Sequence, residues 1–331
     1  MASPHKIIIT DFIHDALDPE RKVLGDTASV EALNAFHEDE LVGRVEDADA
    51  IMVYHHLGLS RGTIQRLKKC KIIVRCGVGF DLVDHIFARS CGIPVANIPD
   101  YGSEEVADSA IGMMLAHTRG LHYLNSFLRA NEGSWHYSQA APLYRLRGRV
   151  FGVVGLGRIG SAVALRAKAM GMEVVYYDPH KSDGYDKALG IRRNETLEEL
   201  LAEAFVLSMH CPLTTETHHL VGADQIAKMP KGSYLINTAR GAVVDVSALP
   251  EALASGHLAG VGIDVLEQEP PDKSNPLLQA WRDPDHRAHH RLIINPHSSF
   301  YCEEGLLEMR VKGSRACRSA LQGFPTPNVV N

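Results

Sequence analysis

The stretch Arg149-Val-Phe-Gly-Val-Val154-Gly155-Leu-Gly157-Arg-Ile-Gly160 decides the fold of this 331-residue chain. An apolar, β-branched run leads directly into Gly-x-Gly-x-x-Gly, and an amphipathic helix is predicted from there to Met170. Gly155 permits a tight turn, Gly157 lets the backbone approach a pyrophosphate, and Gly160 allows the helix to pack closely on the strand. Because the N-terminus of a helix offers N–H donors to phosphates, the stretch predicts a nucleotide-binding βα unit.

A single acidic residue selects the nucleotide. Asp178 follows the next predicted strand, Glu173–Tyr177, and lies 18 residues after Gly160. Its carboxylate can accept hydrogen bonds from both hydroxyls of an adenine ribose, and it would repel a 2′-phosphate. The sequence therefore predicts NAD in preference to NADP.

Short β-branched runs alternate with amphipathic stretches on both sides of this motif, a pattern typical of parallel α/β sheets. Helical segments are predicted near 28–37, 60–69 and 82–90. The predicted strands are Lys6–Thr10, Ala50–Tyr54, Lys71–Arg75 and Ile93–Ala96 in a first series, and Arg149–Val154, Glu173–Tyr177, Phe205–Met209, Ser233–Asn237, Gly260–Asp264 and Leu292–Asn295 in a second. We predict an α/β fold with two doubly wound parallel sheets, a Rossmann NAD-binding domain inserted in a flavodoxin-like substrate domain.

The domains follow from this order. A discontinuous substrate-binding domain is predicted over 1–102 plus 299–331, around a continuous NAD-binding domain over 103–298. The apolar periodicity predicts one helix from Ser103, which can cap it, to about Asn131. That helix fits either a buried inter-domain helix or a dimerisation arm within 103–145. A polar surface loop is predicted over 272–291, and a final helix from about Cys302 to Leu321.

The composition excludes several classes of protein. Hydrophobic residues make up 45% and charged residues 22% of the chain, which rules out a disordered or fibrous protein. The net charge of −6 disfavours direct binding to nucleic acid or to an anionic membrane surface, so small molecules are the expected partners. No secretory signal or long apolar segment is evident, which predicts a cytoplasmic protein. The histidine doublets lack acidic or thiol groups at ligand spacing nearby, so no metal is predicted.

Polar side chains follow the last three predicted strands, where an open α/β sheet binds its ligands. They are Asn237-Thr-Ala-Arg240-Gly241, Asp264-Val-Leu-Glu267-Gln-Glu269-Pro270 and Asn295-Pro-His297. The Arg240 fork can hold a substrate carboxylate and polarise its carbonyl. His297 can exchange a proton with that carbonyl oxygen, while Glu269 would fix the tautomer and favour the protonated ring. Together they predict hydride transfer between NAD and a 2-oxo or 2-hydroxy acid.

The chain resembles the D-isomer-specific 2-hydroxyacid dehydrogenases over essentially its full length. Within that family it is most similar to the C-terminal-binding-protein branch of transcriptional corepressors. The resemblance rests on the nucleotide motif and the three loops above, and also on Val53-Tyr54-His55, Ile72-Ile-Val-Arg75-Cys-Gly-Val-Gly79-Phe-Asp81, Asn97-Ile-Pro99, Glu104-Glu-Val-Ala-Asp108-Ser109 and Tyr177-Asp178-Pro179.

The resemblance implies the roles of individual residues. It implies Arg240, Glu269 and His297 as the catalytic set, and a homodimer formed through the 103–145 arm. The implied NAD-binding residues are Gly155, Gly157, Arg158, Ile159, Gly160, Asp178, His210, Cys211, Pro212, Thr238, Ala239, Arg240, Asp264 and His297. The implied substrate-binding residues are Tyr54, Arg75, Val78, Gly79, Arg240, His297 and Phe300. Phe300 stands where the corepressor branch has Trp, so an indole contact with the substrate is lost.

Three functions remain open on the sequence. The leading one is an NAD-dependent D-2-hydroxyacid dehydrogenase that works as a 2-oxo-acid reductase. The second is an NADH-sensing corepressor or scaffold with weak dehydrogenase activity, which would allow a nuclear location; the long tail of the animal corepressors is absent here. The third is oxidation of a small anion such as phosphite. The identity of the 2-oxo acid is left open.

Overall fold

The computed structural model describes residues 5–130 and 135–331. The chain divides into two compact units, Met1–Gly102 with Tyr301–Asn331, and Ser103–Phe300. Each unit contains one parallel sheet, which confirms the predicted α/β class. The chain returns to the first unit after Phe300, two residues later than expected.

The two sheets have the strand orders of two doubly wound folds. The first is ordered β2-β1-β3-β4-β5 and the second β12-β11-β10-β9-β6-β7-β8, which are the flavodoxin-like and Rossmann-type orders. The strands are β1 His5–Ile9, β2 Ala28–Ala32, β3 Ala50–Val53, β4 Ile72–Arg75, β5 Val95–Asn97, β6 Val150–Val154, β7 Glu173–Tyr177, β8 Arg192–Arg193, β9 Val206–Met209, β10 Ser233–Asn237, β11 Leu258–Ile263 and β12 Leu292–Ile294. All ten predicted strands overlap an observed strand, because buried β-branched runs mark the interior of a parallel sheet.

Helices connect the strands of both sheets. They are α1 Asp18–Leu24, α2 Arg61–Ile64, α3 His85–Ser90, α4 Ser103–Thr118, α5 Leu121–Ala130, α6 Arg158–Ala169, α7 Tyr185–Leu189, α8 Leu197–Glu203, α9 Ala223–Lys228, α10 Leu249–Ala254, α11 Pro276–Arg282, α12 Ala288–Arg291 and α13 Glu303–Leu321. None of the helices in the described part of the chain is long and apolar enough to cross a membrane.

The prediction of a helix near 28–37 was wrong, because β2 occupies its first five residues. Ala28 and Val30 are buried, whereas Ser29 and Glu31 are exposed. This alternation of period two belongs to a strand with one covered face. β2 lies at the edge of the first sheet, beside β1.

The prediction of one continuous helix from Ser103 was also wrong, because the helix is interrupted at Gly120. This residue has φ +65°, a left-handed conformation that ends α4 before α5 begins. Ser103 does not cap α4: it is the first helical residue, and its hydroxyl is buried with no hydrogen-bond partner in residues 5–130 or 135–331. The predicted end at Asn131 lies outside the described residues.

The predicted surface loop at 272–291 contains two short helices, α11 and α12. Asn275 caps α11 by accepting a hydrogen bond from the Leu277 amide at 3.0 Å. Leu277, Leu278 and Ala288 are buried. The interpretation as a loop was wrong because a few buried side chains are enough to dock short helices whose remaining residues are polar.

The last helix, α13, belongs to the first unit, where it packs on α1, β3 and β4. It carries a buried cation, Arg310, whose guanidinium donates to Glu20 at 2.6 and 2.7 Å and to Asp15 at 2.6 and 2.8 Å. These hydrogen bonds lower the pKa of Asp15 below its usual value. Since Glu20 is completely buried, loss of Arg310 would leave its charge unpaired, so the position of α13 against α1 depends on this pair.

Candidate active site

The candidate catalytic residues follow three neighbouring strands of the second sheet. Arg240 follows β10, Glu269 follows β11 and His297 follows β12. These strands are adjacent and parallel, so their carboxyl ends bring the three loops to one edge of the sheet.

The loop after β10 is built around Asn237. Its side chain donates to the Arg240 carbonyl at 2.9 Å and accepts from the Ala239 amide at 3.0 Å. Arg240 is half-buried, and its Nη1 donates to the Ala239 carbonyl at 2.9 Å. Gly241 follows at a point of close approach, since a Cβ on it would lie 2.2 Å from the Glu267 nitrogen. Only glycine lets the loops after β10 and β11 touch at this point.

Glu269 and His297 form a hydrogen-bonded pair. His297 Nδ1 lies 2.7 Å from Glu269 Oε2, and Glu269 Oε1 accepts from the Leu266 amide at 2.7 Å. A carboxylate only accepts hydrogen bonds, so the proton of this pair resides on Nδ1. The two side chains are 31% and 34% exposed, which leaves them within reach of a small molecule.

Asp264 holds the backbone on which His297 sits. Its carbonyl accepts from the His297 amide at 2.8 Å, and its carboxylate accepts from the amides of Ser298 and Ser299 at 2.9 to 3.2 Å. These bonds support a left-handed backbone at His297, where φ is +50°. The Phe300 ring approaches the imidazole edge-on, with ring centroids 6.1 Å apart. The sequence indicated Asp264 only as a cofactor residue and missed this positioning role.

The glycine motif between β6 and α6 is closely packed on two sides. Gly155 has φ +89°, and a Cβ there would lie 2.7 Å from the Cys211 nitrogen. A Cβ on Gly160 would lie 2.1 Å from the Gly155 carbonyl oxygen. Asp178, at the end of β7, accepts from the Leu156 amide at 2.8 Å and from the His180 amide at 2.9 Å. The turn therefore requires glycine at both positions, and Asp178 is fixed beside it.

The loop His210–Pro212 after β9 covers the same turn. The His210 amide donates to the Val154 carbonyl at 2.8 Å, and its Nε2 lies 2.8 Å from the Ser208 hydroxyl. Burial lowers the pKa of His210 to about 3 and raises that of Cys211 to about 12, so both side chains are neutral near pH 7. The Pro212 carbonyl accepts from the Thr217 hydroxyl at 2.6 Å, which closes the loop.

Residues 111–299 match the family described as "D-isomer specific 2-hydroxyacid dehydrogenase, NAD binding domain". The chain belongs to this family. The match covers most of the second unit, which is thus the NAD-binding domain of a D-2-hydroxyacid dehydrogenase family member. The predicted cofactor and family are confirmed, whereas placement in the C-terminal-binding-protein branch stays a prediction.

Curated relatives and solved structures support this assignment. The chain is 35% identical to the D-3-phosphoglycerate dehydrogenase of Methanocaldococcus jannaschii over 98% of its own length, but it spans only 59% of that relative. It is 34% identical to the glyoxylate reductase of Korarchaeum cryptofilum over 88% of this chain and 85% of the relative. The structure of Aquifex aeolicus D-lactate dehydrogenase complexed with NAD and lactic acid matches 96% of each chain, with a TM-score of 0.85 and 29% identity.

Two further predicted cofactor residues, Gly157 and Thr238, fit a bound nucleotide. A Cβ on Gly157 would meet no atom within 4 Å, so the space that a pyrophosphate needs is open above the turn. The Thr238 hydroxyl is buried and has no hydrogen-bond partner in the described part of the protein, as expected of a group that meets a ligand. Arg158 is exposed at the start of α6, whereas Ile159 packs partly against the apolar core.

The other predicted substrate residues belong to the first unit. Arg75, at the end of β4, is buried; its Nη1 donates to the Cys76 carbonyl at 2.8 Å and its Nη2 lies 3.2 Å from His55 Nδ1. The Val78 carbonyl accepts from the Asn97 amide group at 2.6 Å, which fixes the segment that continues to the half-buried Gly79. Tyr54, which directly follows β3, is completely buried. Its place in a substrate pocket stays a prediction.

Proposed function

We propose that the protein is an NAD-dependent D-2-hydroxyacid dehydrogenase that works as a reductase of small 2-oxo acids. The observation that carries the proposal is the 2.7 Å contact between His297 Nδ1 and Glu269 Oε2 at the edge of the NAD-binding sheet. A histidine oriented in this way is suited to general acid–base catalysis. The names of the glyoxylate reductase and the D-lactate dehydrogenase support substrates of this class.

His297 is proposed to exchange the proton. With Nδ1 bound to Glu269, the opposite ring nitrogen, Nε2, donates a proton to the carbonyl oxygen during reduction and takes it back during oxidation. When bound, NADH would supply the hydride for reduction of the 2-oxo acid, and NAD+ would accept it in the reverse direction. Glu269 keeps the ring in one orientation and stabilises the charged imidazolium.

Arg240 is proposed to bind the substrate carboxylate and polarise the carbonyl beside it. Arg240 follows β10, which lies next to β11, the strand that leads to Glu269. A planar guanidinium can hold two oxygen atoms with parallel hydrogen bonds, which an ammonium cannot do. In the first unit, Tyr54, Arg75, Val78 and Gly79 are proposed as further substrate residues. Phe300 is proposed to contact the substrate side chain.

The arm within 103–145 is proposed to form a homodimer. All ten residues of α5 keep exposed surface, and its Leu121 and Leu128 are 58% and 47% exposed. Trp135, beyond the end of α5, is 88% exposed. Large exposed apolar side chains concentrated in one segment are typical of a protein–protein interface.

A panel of 2-oxo acids tests the proposed activity. Glyoxylate, pyruvate, hydroxypyruvate and branched, aromatic and dicarboxylic 2-oxo acids are each mixed with NADH and the purified protein, and NADH oxidation is followed. We expect turnover with at least one of them and a product of D configuration. Tight NADH binding without turnover on any member would overturn the proposal in favour of a scaffold, and NAD reduction by phosphite alone would favour an anion dehydrogenase.

A further inference from the structure

Three potential metal ligands lie together on the NAD-binding domain, outside the catalytic residues. His219 Nε2 is 3.2 Å from Glu267 Oε2, and His218 Nε2 is 3.8 Å from Glu267 Oε1. The three ligand atoms lie within 4.8 Å of one another. The sequence predicted no metal at this histidine doublet because no cluster of acidic or thiol residues stands at ligand spacing beside it. In the folded protein, Glu267 lies beside the doublet, although it is 48 residues after His219 in the chain.

The backbones that carry these ligands are held by one short turn, Gly241–Val243. The His219 amide donates to the Ala242 carbonyl at 2.7 Å. Two residues later, the Val221 amide donates to the Val243 carbonyl at 3.2 Å. On the other side, the Glu267 backbone is in close contact with Gly241. The two ligand segments are thus fixed with respect to each other before any ion arrives, which lowers the entropy lost on binding.

The conformation of the doublet brings both imidazoles to the same carboxylate. His219 has φ +49°, a left-handed conformation that residues with a side chain seldom adopt. The two rings stack with centroids 4.0 Å apart and an angle of 29° between their planes. Strained backbones that the surrounding structure maintains are concentrated at functional sites.

Hydrogen bonding within the cluster accounts for only part of this arrangement. At 3.2 Å, His219 can donate to Glu267, but 3.8 Å is too long for a hydrogen bond from His218. A divalent cation among the three ligand atoms would satisfy the carboxylate and both neutral imidazoles.

We propose that His218, His219 and Glu267 form a binding site for a divalent cation of the zinc class. Two imidazole nitrogens and one carboxylate oxygen are a recurrent zinc ligand set, and water completes the tetrahedron. Ligand atoms about 2.1 Å from a tetrahedral zinc ion are about 3.4 Å apart, close to the observed His219–Glu267 distance. The side chains are 50%, 37% and 49% exposed, so an ion from solution can reach them.

The proposed ion site lies in the loop that also carries Glu269. Glu267 belongs to the same loop as Glu269, which contacts His297. An ion at the site would join this loop to the loop that carries the histidine doublet, and so stabilise the loop against local opening.

A zinc titration tests the proposal. The full-length protein is freed of metal with a chelator, and zinc is then titrated in competition with a chromophoric chelator. His219→Asn and Glu267→Gln each remove one ligand, and asparagine is chosen because it tolerates the left-handed backbone. His14→Asn, which removes an exposed histidine of the first unit, is the matched control.

We expect one zinc ion per chain in the wild type and in His14→Asn, with affinity at least tenfold weaker in both ligand variants. Equal affinity in all four proteins, or no stoichiometric binding by the wild type, would overturn the proposal and leave a histidine–carboxylate hydrogen bond. Metal-free variants should melt close to the wild type. If they do not fold, X-ray absorption of the wild-type zinc complex decides: a shell of two imidazoles and oxygen supports the site, and a sulfur ligand refutes it.

Discussion

Two hydrogen bonds and an unusual backbone conformation fix the position of His297. Its amide is bonded to Asp264, its Nδ1 to Glu269, and its backbone adopts φ +50°. A substitution that removes the imidazole and preserves the backbone isolates its chemical contribution, and asparagine meets this condition because it tolerates the left-handed region.

We therefore predict that His297→Asn lowers kcat for the best 2-oxo acid by about 10²- to 10⁴-fold, the usual effect of removing a general acid. NADH affinity, followed by the fluorescence of the bound cofactor, should change little, because the Gly155 turn and Asp178 are untouched. Unchanged turnover would contradict the assignment of His297 as the proton donor.

Some residues of the site could be predicted from the sequence and others could not. The sequence predicted three site residues, Gly155, Asp178 and Arg240, because each follows an apolar run. The chemistry of each is also clear: a tight turn needs glycine, ribose hydroxyls need a carboxylate, and a substrate carboxylate needs a guanidinium. The amides of Ser298 and Ser299 bonded to Asp264 could not be found, since they depend on how two loops meet. The same holds for Glu267 beside His219, because the distance between the two in space is set by the packing of Gly241.

At the scale of elements, the interruption between α4 and α5 depends on Gly120. Its φ of +65° disfavours any side chain, and a Cβ there would lie 2.9 Å from the Ala140 Cβ. We predict that Gly120→Ala lowers the free energy of unfolding by about 1–2 kcal/mol, measured by denaturant unfolding. Gly112→Ala, in the middle of α4 with no atom within 4 Å of the new Cβ, should be neutral or slightly stabilising. Equal effects of the two substitutions would show that the break does not require glycine.

α4 also carries a buried histidine that makes stability depend on pH. His117 Nε2 donates to the Val261 carbonyl at 2.8 Å, and burial lowers the pKa of His117 to about 3. The unfolded chain takes up this proton near pH 6.5, whereas the folded protein does not until about pH 3. The contribution of His117 to the free energy of unfolding is therefore complete above pH 6.5. It decreases as the pH falls towards 3, by about 1.4 kcal/mol per pH unit.

We predict that His117→Gln, which keeps an N–H donor, flattens the decline of unfolding free energy between pH 6.5 and 4.5. Denaturant unfolding at several pH values measures it. His14→Gln should retain the wild-type slope, because His14 is exposed. Parallel curves for wild type and His117→Gln would show that His117 does not titrate on unfolding.

The elements that were predicted well and those that were missed differ in burial. β9 and β10 are buried along their whole length, so their apolar residues stand out in the sequence. β2 has only two buried side chains, Ala28 and Val30, and so short an apolar pattern does not distinguish a strand from a helix. The helical stripe across Gly120 continues on both sides of the break, because periodicity does not register a single left-handed residue.

At the scale of the whole molecule, the exposed leucines of α5 predict an assembly. We expect light scattering after size exclusion to give twice the 36.3 kDa mass of the chain. Leu121→Asp combined with Leu128→Asp should convert the protein to a monomer, because charges at the centre of an apolar interface are left unpaired. Leu165→Asp, at an equally exposed leucine of α6, should leave the mass unchanged. A monomeric wild type would refute the arm as a dimer interface.

The discontinuous first unit has a consequence for how the protein is made on the ribosome. Its sheet is translated first, yet α13, which covers β3 and β4 and supplies Arg310 to Glu20, is translated after the entire second unit. At roughly 5–20 residues per second, the intervening 200 or so residues keep the nascent sheet waiting for about 10–40 s. During synthesis the NAD-binding domain can complete its core first. Until α13 is made, the first unit has a sheet face that α13 does not yet cover and a Glu20 carboxylate without Arg310. During this interval, the uncovered face of the first sheet is a surface to which a chaperone can bind.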